Sequence, residues 1–356
     1  MPLVAHTPLP AFERLRREGQ TVLSPERARH QHIRELHIGL LNMMPDAALA
    51  ATERQFFRLV GQSNPIAQFY LHPFTLDGLE RGPKGREHVQ RYYERFEDLQ
   101  REGLDALIIT GANVTRERLS DEPFWAPLGE VIRWAWTHVT STLCSCLATH
   151  AVMEQIYAQP RRRMPHKRWG VFPHRVVDRA HPLVSGVNTR FDVPHSRWND
   201  ISPEQFEMAG ARVLVESPVA GVHLATSGDG LRQVFFQGHP EYDTVSLLKE
   251  YKRDLLLYAA HRRPTPPPFP DNYLGIREQA LLEEYRERLE RARDRGLPLP
   301  DFPEPLIVPH LDNTWHDSAE AVVGNWMGLV YQLTHRDRHR PFMEGIDPGD
   351  PLNLHR

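Results

Sequence analysis

Ser141-Thr-Leu-Cys-Ser-Cys-Leu-Ala-Thr-His150 decides the reading of this chain, because a β-prone run ends on a thiol and a helix-prone run begins directly after it. A strand that turns straight into a helix is the repeating joint of an α/β sheet. A sulfur on that joint sits at a helix N-terminus, where unpaired amides and the macrodipole favour a thiolate and can receive an oxyanion. Cys146 is therefore the candidate nucleophile. A free cysteine is more often a small buried hydrophobe, and Cys144, which lacks the turn position, keeps that reading.

The flanking sequence repeats the pattern. Leu36-His-Ile-Gly-Leu-Leu-Asn42 reads as a buried strand, and Met43-Met-Pro45 turns into a helix with Leu49, Thr52, Phe56, Leu59 and Val60 on one face. Residues 66–71 read as a second strand, 87–99 as a charged surface helix, and Leu104-Asp-Ala-Leu-Ile-Ile-Thr-Gly111 as a third strand ending in a glycine turn. The next helix spans 125–138. Continuously apolar strands alternating with helices imply a parallel sheet covered on both faces, with the ligand beyond the strands' carboxyl ends. Residues 169–236, richer in short strands and turns, are expected to extend the sheet with antiparallel members.

Residues 1–34 are polar and aperiodic and are expected to form an extended N-terminal arm, and 35–262 the catalytic α/β domain. His261-Arg-Arg-Pro-Thr-Pro-Pro-Pro-Phe-Pro270 is a stiff stop. Residues 263–356 then form a proline-rich connector and a helical extension packed on the main domain. The last helix carries Ala319, Val322, Val323, Trp326, Leu329, Val330 and Leu333 on one apolar stripe, which must cover the main domain or a second subunit; with the arm, it leads to an expected homodimer.

The chain has 356 residues, 40% hydrophobic and 25% charged, with a net charge of -3, which gives no reason to expect nucleic acid. No apolar run reaches the roughly 20 residues of a membrane helix, and no signal-peptide core is visible, so a cytoplasmic location is expected. The two cysteines, Cys144 and Cys146, would project side by side from one strand face about 6.6 Å apart, unsuited to a bridge.

Downstream, Phe235-Phe-Gln-Gly-His-Pro-Glu-Tyr-Asp243 supplies a base and its orienter. Among 20 histidines a lone His239 would mean little, but Glu241, one proline away, can fix the tautomer that presents a basic nitrogen to sulfur. Cys146, His239 and Glu241 form the candidate triad, with His150 and His195 as competing bases. The glycine turn at Thr110-Gly-Ala112 can complete an oxyanion hole from the Ala112 and Leu147 amides. Arg161-Arg-Arg163 with His166-Lys-Arg168 suits either a phosphate site or a solvated turn. With no HExxH, HxH or clustered Cys/His spacing, no metal is expected, and without a Walker loop or GxGxxG there is no machinery for nucleotide or hydride chemistry.

Five motifs in order, Leu41-Asn-Met-Met-Pro45, Ile109-Thr-Gly-Ala112, Thr140-Ser-Thr-Leu-Cys-Ser-Cys146, Pro194-His-Ser-Arg197 and Gly238-His-Pro-Glu-Tyr-Asp243, resemble the homoserine O-acyltransferases of methionine biosynthesis. The resemblance implies a flavodoxin-like, class I glutamine amidotransferase-like three-layer sandwich and a ping-pong acyl transfer from succinyl-CoA or acetyl-CoA to L-homoserine, without a further cofactor. It also implies substrate-binding roles for Lys167, Ser196 and Arg253, and an acyl-donor specificity role for Thr115. Acetyl-selective members carry glutamate at that last position and succinyl-selective ones glycine. Threonine is small and neutral, which favours succinyl-CoA. Asp46 stands where many members carry lysine, so a lysine role there is lost, and Asn113 and His150 also depart from the family pattern and keep serine open as an acceptor. A glutamine amidotransferase and a catalytically silent ligand-binding protein are the rival readings.

Overall fold

The computed structural model describes residues 3–31, 33–64 and 66–355. Its strands are β1 (Leu3–Val4), β2 (Val22–Leu23), β3 (Glu35–Leu41), β4 (Gln68–Phe74), β5 (Ala106–Ile109) and β6 (Ser141–Ser145). They continue with β7 (Arg162–Val176), β8 (Arg190–Asp200), β9 (Arg212–Ser217), β10 (Gly221–Thr226) and β11 (Gln233–Phe236). All eleven join one sheet in the order β2-β1-β4-β3-β5-β6-β11-β10-β9-β7-β8. Pairing is parallel from β2 to β11 and antiparallel from β11 to β8, as the change in strand character after residue 169 predicts.

The helices are α1 (Pro10–Arg17), α2 (Pro25–Arg29), α3 (Asp46–Ser63), α4 (Pro83–Tyr92), α5 (Phe96–Glu102) and α6 (Trp125–His138). They continue with α7 (Leu147–Tyr157), α8 (Pro203–Met208), α9 (Ser246–Ala259), α10 (Ile276–Asp294), α11 (Glu304–Ile307) and α12 (His316–Leu333). Because side chains alternate along a strand, each central strand feeds two cores. Ile108 and Leu143 point to the face covered by α1, α3 and α12, while Leu107, Ile109 and Cys144 point to the face covered by α6, α7 and α8. This is the three-layer α/β arrangement. Burial in the second core pushes the Cys144 thiol well above its ordinary range.

Three expectations need correction. Residues 3–29 are not extended: they fold as two short strands that widen the sheet and two short helices, of which α1 buries Phe12 and Leu15. The helix expected over 87–99 is two, α4 and α5, separated by extended backbone at Tyr93 and Arg95. Cys144 and Cys146 do not share an extended strand, because β6 stops at Ser145 and Cys146 adopts φ 51°.

The stripe on α12 is buried within its own chain, with Ala319, Val322, Val323, Trp326 and Val330 in one core with Phe57 and Val60 of α3. Leu329 and Leu333 of the stripe pack against the same core while partly buried. Residues 269–311 build a separate cluster on α9 and β7, where Asp271 bridges Gly170. No helix among the described residues is long and apolar enough to cross a membrane.

Candidate active site

Four neighbouring parallel strands, β3, β5, β6 and β11, end at one edge of the sheet, and the loops that leave them line a cavity of about 740 Å³. β3 delivers Met44 and Pro45, β5 delivers Gly111 to Glu117, β6 delivers Cys146, and β11 delivers His239. This is the crevice where parallel α/β sheets hold ligands.

Cys146 is the N-cap of α7, half-buried, at φ 51° and ψ -103°. A non-glycine residue held in such a region costs on the order of 1–3 kcal/mol, so the surroundings must impose it. They do so through hydrogen bonds. The Cys146 amide donates to the Phe236 carbonyl at 2.7 Å, and Thr149 Oγ1 donates to the carbonyls of Cys144 and Phe236 at 2.8 and 3.0 Å. The bend turns the sulfur into the cavity, beside the start of a helix.

His239 reaches that sulfur. Its Nδ1 bonds Glu241 Oε1 at 2.8 Å, and its ring shares the cavity with the Cys146 sulfur closely enough for the two to interact electrostatically. Burial alone would lower its pKa, but the Glu241 carboxylate and the Cys146 sulfur outweigh burial and push it up to about 10. Because a carboxylate only accepts, Nδ1 carries the proton and Nε2 is left for the sulfur. Tyr242 stacks on the ring, with centroids 4.3 Å apart.

The competing bases do other things. His150 lines the cavity, but its Nε2 is held by Gln237 at 3.1 Å and burial takes its pKa down to about 3. His195 is buried behind the site, bonded to His174 at 3.1 Å and to Arg197. Its ring and that of His223 crowd Gly238, where an added Cβ would meet them at 2.9 and 2.8 Å. Gly238 is thus required by close packing beneath the His239 loop.

Lys167, Ser196 and Arg253 line the cavity as well. Lys167 Nζ and Ser196 Oγ converge on Glu250 Oε2 at 3.0 and 2.6 Å, while Tyr242 donates to Glu250 Oε1 at 2.7 Å. Burial would raise the Glu250 carboxyl, but Lys167 and the two hydroxyls hold it below the usual carboxylate range. Arg253 pairs with Asp254 at 2.8 Å and keeps a largely exposed side chain. Ala112 and Leu147, the residues expected to supply oxyanion-hole amides, lie on the cavity wall.

Thr115 lines the same cavity, and Glu122 fixes it. The Thr115 and Arg116 amides both donate to Glu122 Oε1 at 2.6 Å. Arg116, Arg161 and Arg163 add positive charge to the lining, with the Arg163 guanidinium 4.4 Å over the Trp198 ring. Glu122, Tyr242 and Glu250 carried no sequence signal as site residues. Their roles depend on partners distant in sequence, although Tyr242 lies inside a motif already singled out.

The family model described as homoserine O-succinyltransferase matches residues 2–336. The homoserine O-succinyltransferase of Allochromatium vinosum is 67% identical over 354 residues, covering 99% of both chains. That of Thiobacillus denitrificans is 68% identical over 354 residues, covering 99% of this chain and all of its own. Among solved structures, a glutamine amidotransferase of Thermotoga maritima is similar at a TM-score of 0.45 and 12% identity, over 85% of this chain and 99% of its own. Both enzymes match this chain over nearly its whole length, and this chain belongs to the homoserine O-succinyltransferase family.

Proposed function

We propose that the chain transfers a succinyl group from succinyl-CoA to the side-chain hydroxyl of L-homoserine, in methionine biosynthesis, through a thioester on Cys146. The observation that carries the covalent route is the His239 ring, clamped by Glu241 and facing the same cavity as the Cys146 sulfur, which is held at a strained strand-to-helix bend.

In the first half-reaction the Cys146 sulfur, its proton held by His239, attacks the thioester carbonyl. The oxyanion settles between the Leu147 and Ala112 amides, and each such donor contributes about 3 kcal/mol of barrier lowering. The carbon–sulfur bond to CoA breaks, and His239 returns its proton to the departing thiolate. In the second half the homoserine hydroxyl gives its proton to His239 Nε2 and its oxygen attacks the acyl-enzyme. The bond to Cys146 then breaks. Glu241 keeps its proton-bearing partner in one orientation throughout and stabilises the imidazolium.

Lys167 and Ser196, held by Glu250, line the acceptor side, and Arg253 suits the amino-acid carboxylate. The Arg116, Arg161 and Arg163 lining favours a donor with anionic groups, which supports succinyl-CoA over acetyl-CoA, as does the uncharged Thr115. The reading requires no resident cofactor.

Incubation with succinyl-CoA alone, followed by intact-mass measurement, tests the covalent route. One succinyl group should appear on the wild type and none on Cys146→Ala. An adduct that persists in Cys146→Ala, or no adduct despite multiple turnover with homoserine, refutes it. Crossing the two acyl donors against homoserine and serine, with CoA release as the readout, tests the substrate assignment separately.

A further inference from the structure

We propose that His6, His72 and Glu94 form a binding site for one divalent transition-metal ion, zinc by its donor set, at the edge of the sheet. His6 follows β1, His72 lies in β4, and Glu94 lies between α4 and α5. One donor atom from each lies within 4.8 Å of the other two, and none of the three residues lines the catalytic cavity. The ligands are far apart in sequence, so no spacing motif announces them.

The unpartnered Nε2 of His6 carries the inference. His6 Nδ1 stands 3.1 Å from the Val4 carbonyl oxygen, which can only accept, so Nδ1 bears the hydrogen and Nε2 a lone pair. That Nε2 is buried without a hydrogen-bond partner and faces Glu94 Oε1 at 4.0 Å. Lone pair meets carboxylate with nothing positive between them. Beside it His72 Nδ1 donates to Glu94 Oε1 at 2.7 Å and His72 Nε2 meets His37 Nδ1 at 2.9 Å, while His37 Nε2, 3.2 Å from Glu35 Oε1, is buried without a hydrogen-bond partner.

One cation among His6 Nε2, His72 Nδ1 and Glu94 answers that lone pair and carboxylate together, with His72 Nε2–H donating to His37 Nδ1. Metal-bound histidines characteristically hold such a partner on their other nitrogen. Two imidazoles and one carboxylate are a zinc donor set with a fourth position for water. Tetrahedral coordination with bonds of about 2.0–2.1 Å spaces neighbouring donors roughly 3.3 Å apart, between the 2.7 and 4.0 Å seen to Glu94. The ion would tie the segment after β1 to the interior of the sheet, a place where β1 itself contributes only two residues.

The test uses the full chain, stripped with a chelator, equilibrated with zinc chloride, washed, and assayed for zinc by plasma mass spectrometry and for Tm by calorimetry. Wild type should retain one more zinc per chain than His6→Gln or Glu94→Gln and gain several degrees in Tm that these variants do not. His37→Gln should bind about 10- to 100-fold more weakly. Equal zinc retention and equal Tm response in wild type and both ligand variants overturns the proposal. Cobalt(II) titrated into the wild type provides a check independent of variant folding: intense visible bands of a four-coordinate site support it, and a weak six-coordinate spectrum overturns it.

Discussion

The Arg58 guanidinium donates to the Glu241 backbone carbonyl across 3.1 Å, joining α3 to the loop that carries His239. Arg54 and Arg58 both pair with Asp243 in the same loop, and Gln55 Nε2 reaches Asp243 and Ser246 at 3.3 and 3.0 Å. Burial, followed by the neighbouring Arg54 charge, lowers Arg58 to about 10, so it remains a cation at neutral pH. The catalytic loop is thus anchored by buried charge on a helix from the far end of the chain.

Replacing Arg58 with leucine removes that anchor and leaves Asp243 with Arg54 and Gln55. Since a displacement near 1 Å at a reacting group can cost about 100-fold in rate, kcat should fall about 10- to 100-fold, with little change in KM for either substrate. Arg58→Lys keeps the charge but not the forked geometry and should lie between. Iodoacetamide labelling of Cys146 should slow in parallel, because His239 loses its fixed approach. An unchanged kcat in a folded Arg58→Leu protein would remove Arg58 from any positioning role.

Thr115 gives a second expectation. Its amide already donates to Glu122, so a glutamate there would set a second carboxylate beside one that is buried and committed to two amides. Thr115→Glu should lower kcat/KM for succinyl-CoA at least about tenfold, through crowding and repulsion of the distal carboxylate, and change acetyl-CoA turnover far less. Parallel kinetics with both donors check it. An equal loss with both donors would assign Thr115 to loop structure alone.

Much of the fold could be read from local pattern, and the reasons are physical. The strand at 141–145, the helix at 125–138 and the stop after 260 announce themselves through apolar runs, periodicity and proline, all of which act within a few residues. The Cys146 bend was legible because a β-to-α change in propensity surrounds it. The break at Tyr93 was not, because its side chain is committed elsewhere: its hydroxyl donates to Glu53 at 2.7 Å and accepts from Asn42 at 2.9 Å. Buried polar residues such as Glu53, Arg54 and Gln55 on α3 hide in the same way, since their partners lie in other segments. Glu122 and Glu250 escaped notice for that reason too.

Buried histidines should set the acid limit of this protein. Burial lowers His150 to about 3 and His174 to about 4, and it depresses His195 and His223 strongly, the nearby Arg197 adding to the effect at all four. Each stays neutral in the folded chain but takes up a proton near pH 6.5 when unfolded. Below pH 6.5 the unfolded state therefore binds more protons, so the stability present above that pH is lost as pH falls toward 4. Each group contributes up to about 1.4 kcal/mol per pH unit in that window. Urea midpoints should fall steeply between pH 6.5 and 5, well above the range where carboxylates titrate. In a His174→Gln, His223→Gln double variant that folds at pH 7.5, the slope should be visibly shallower. A flat midpoint from pH 7.5 to 5 in the wild type would show that these rings are protonated, or reach water, without unfolding.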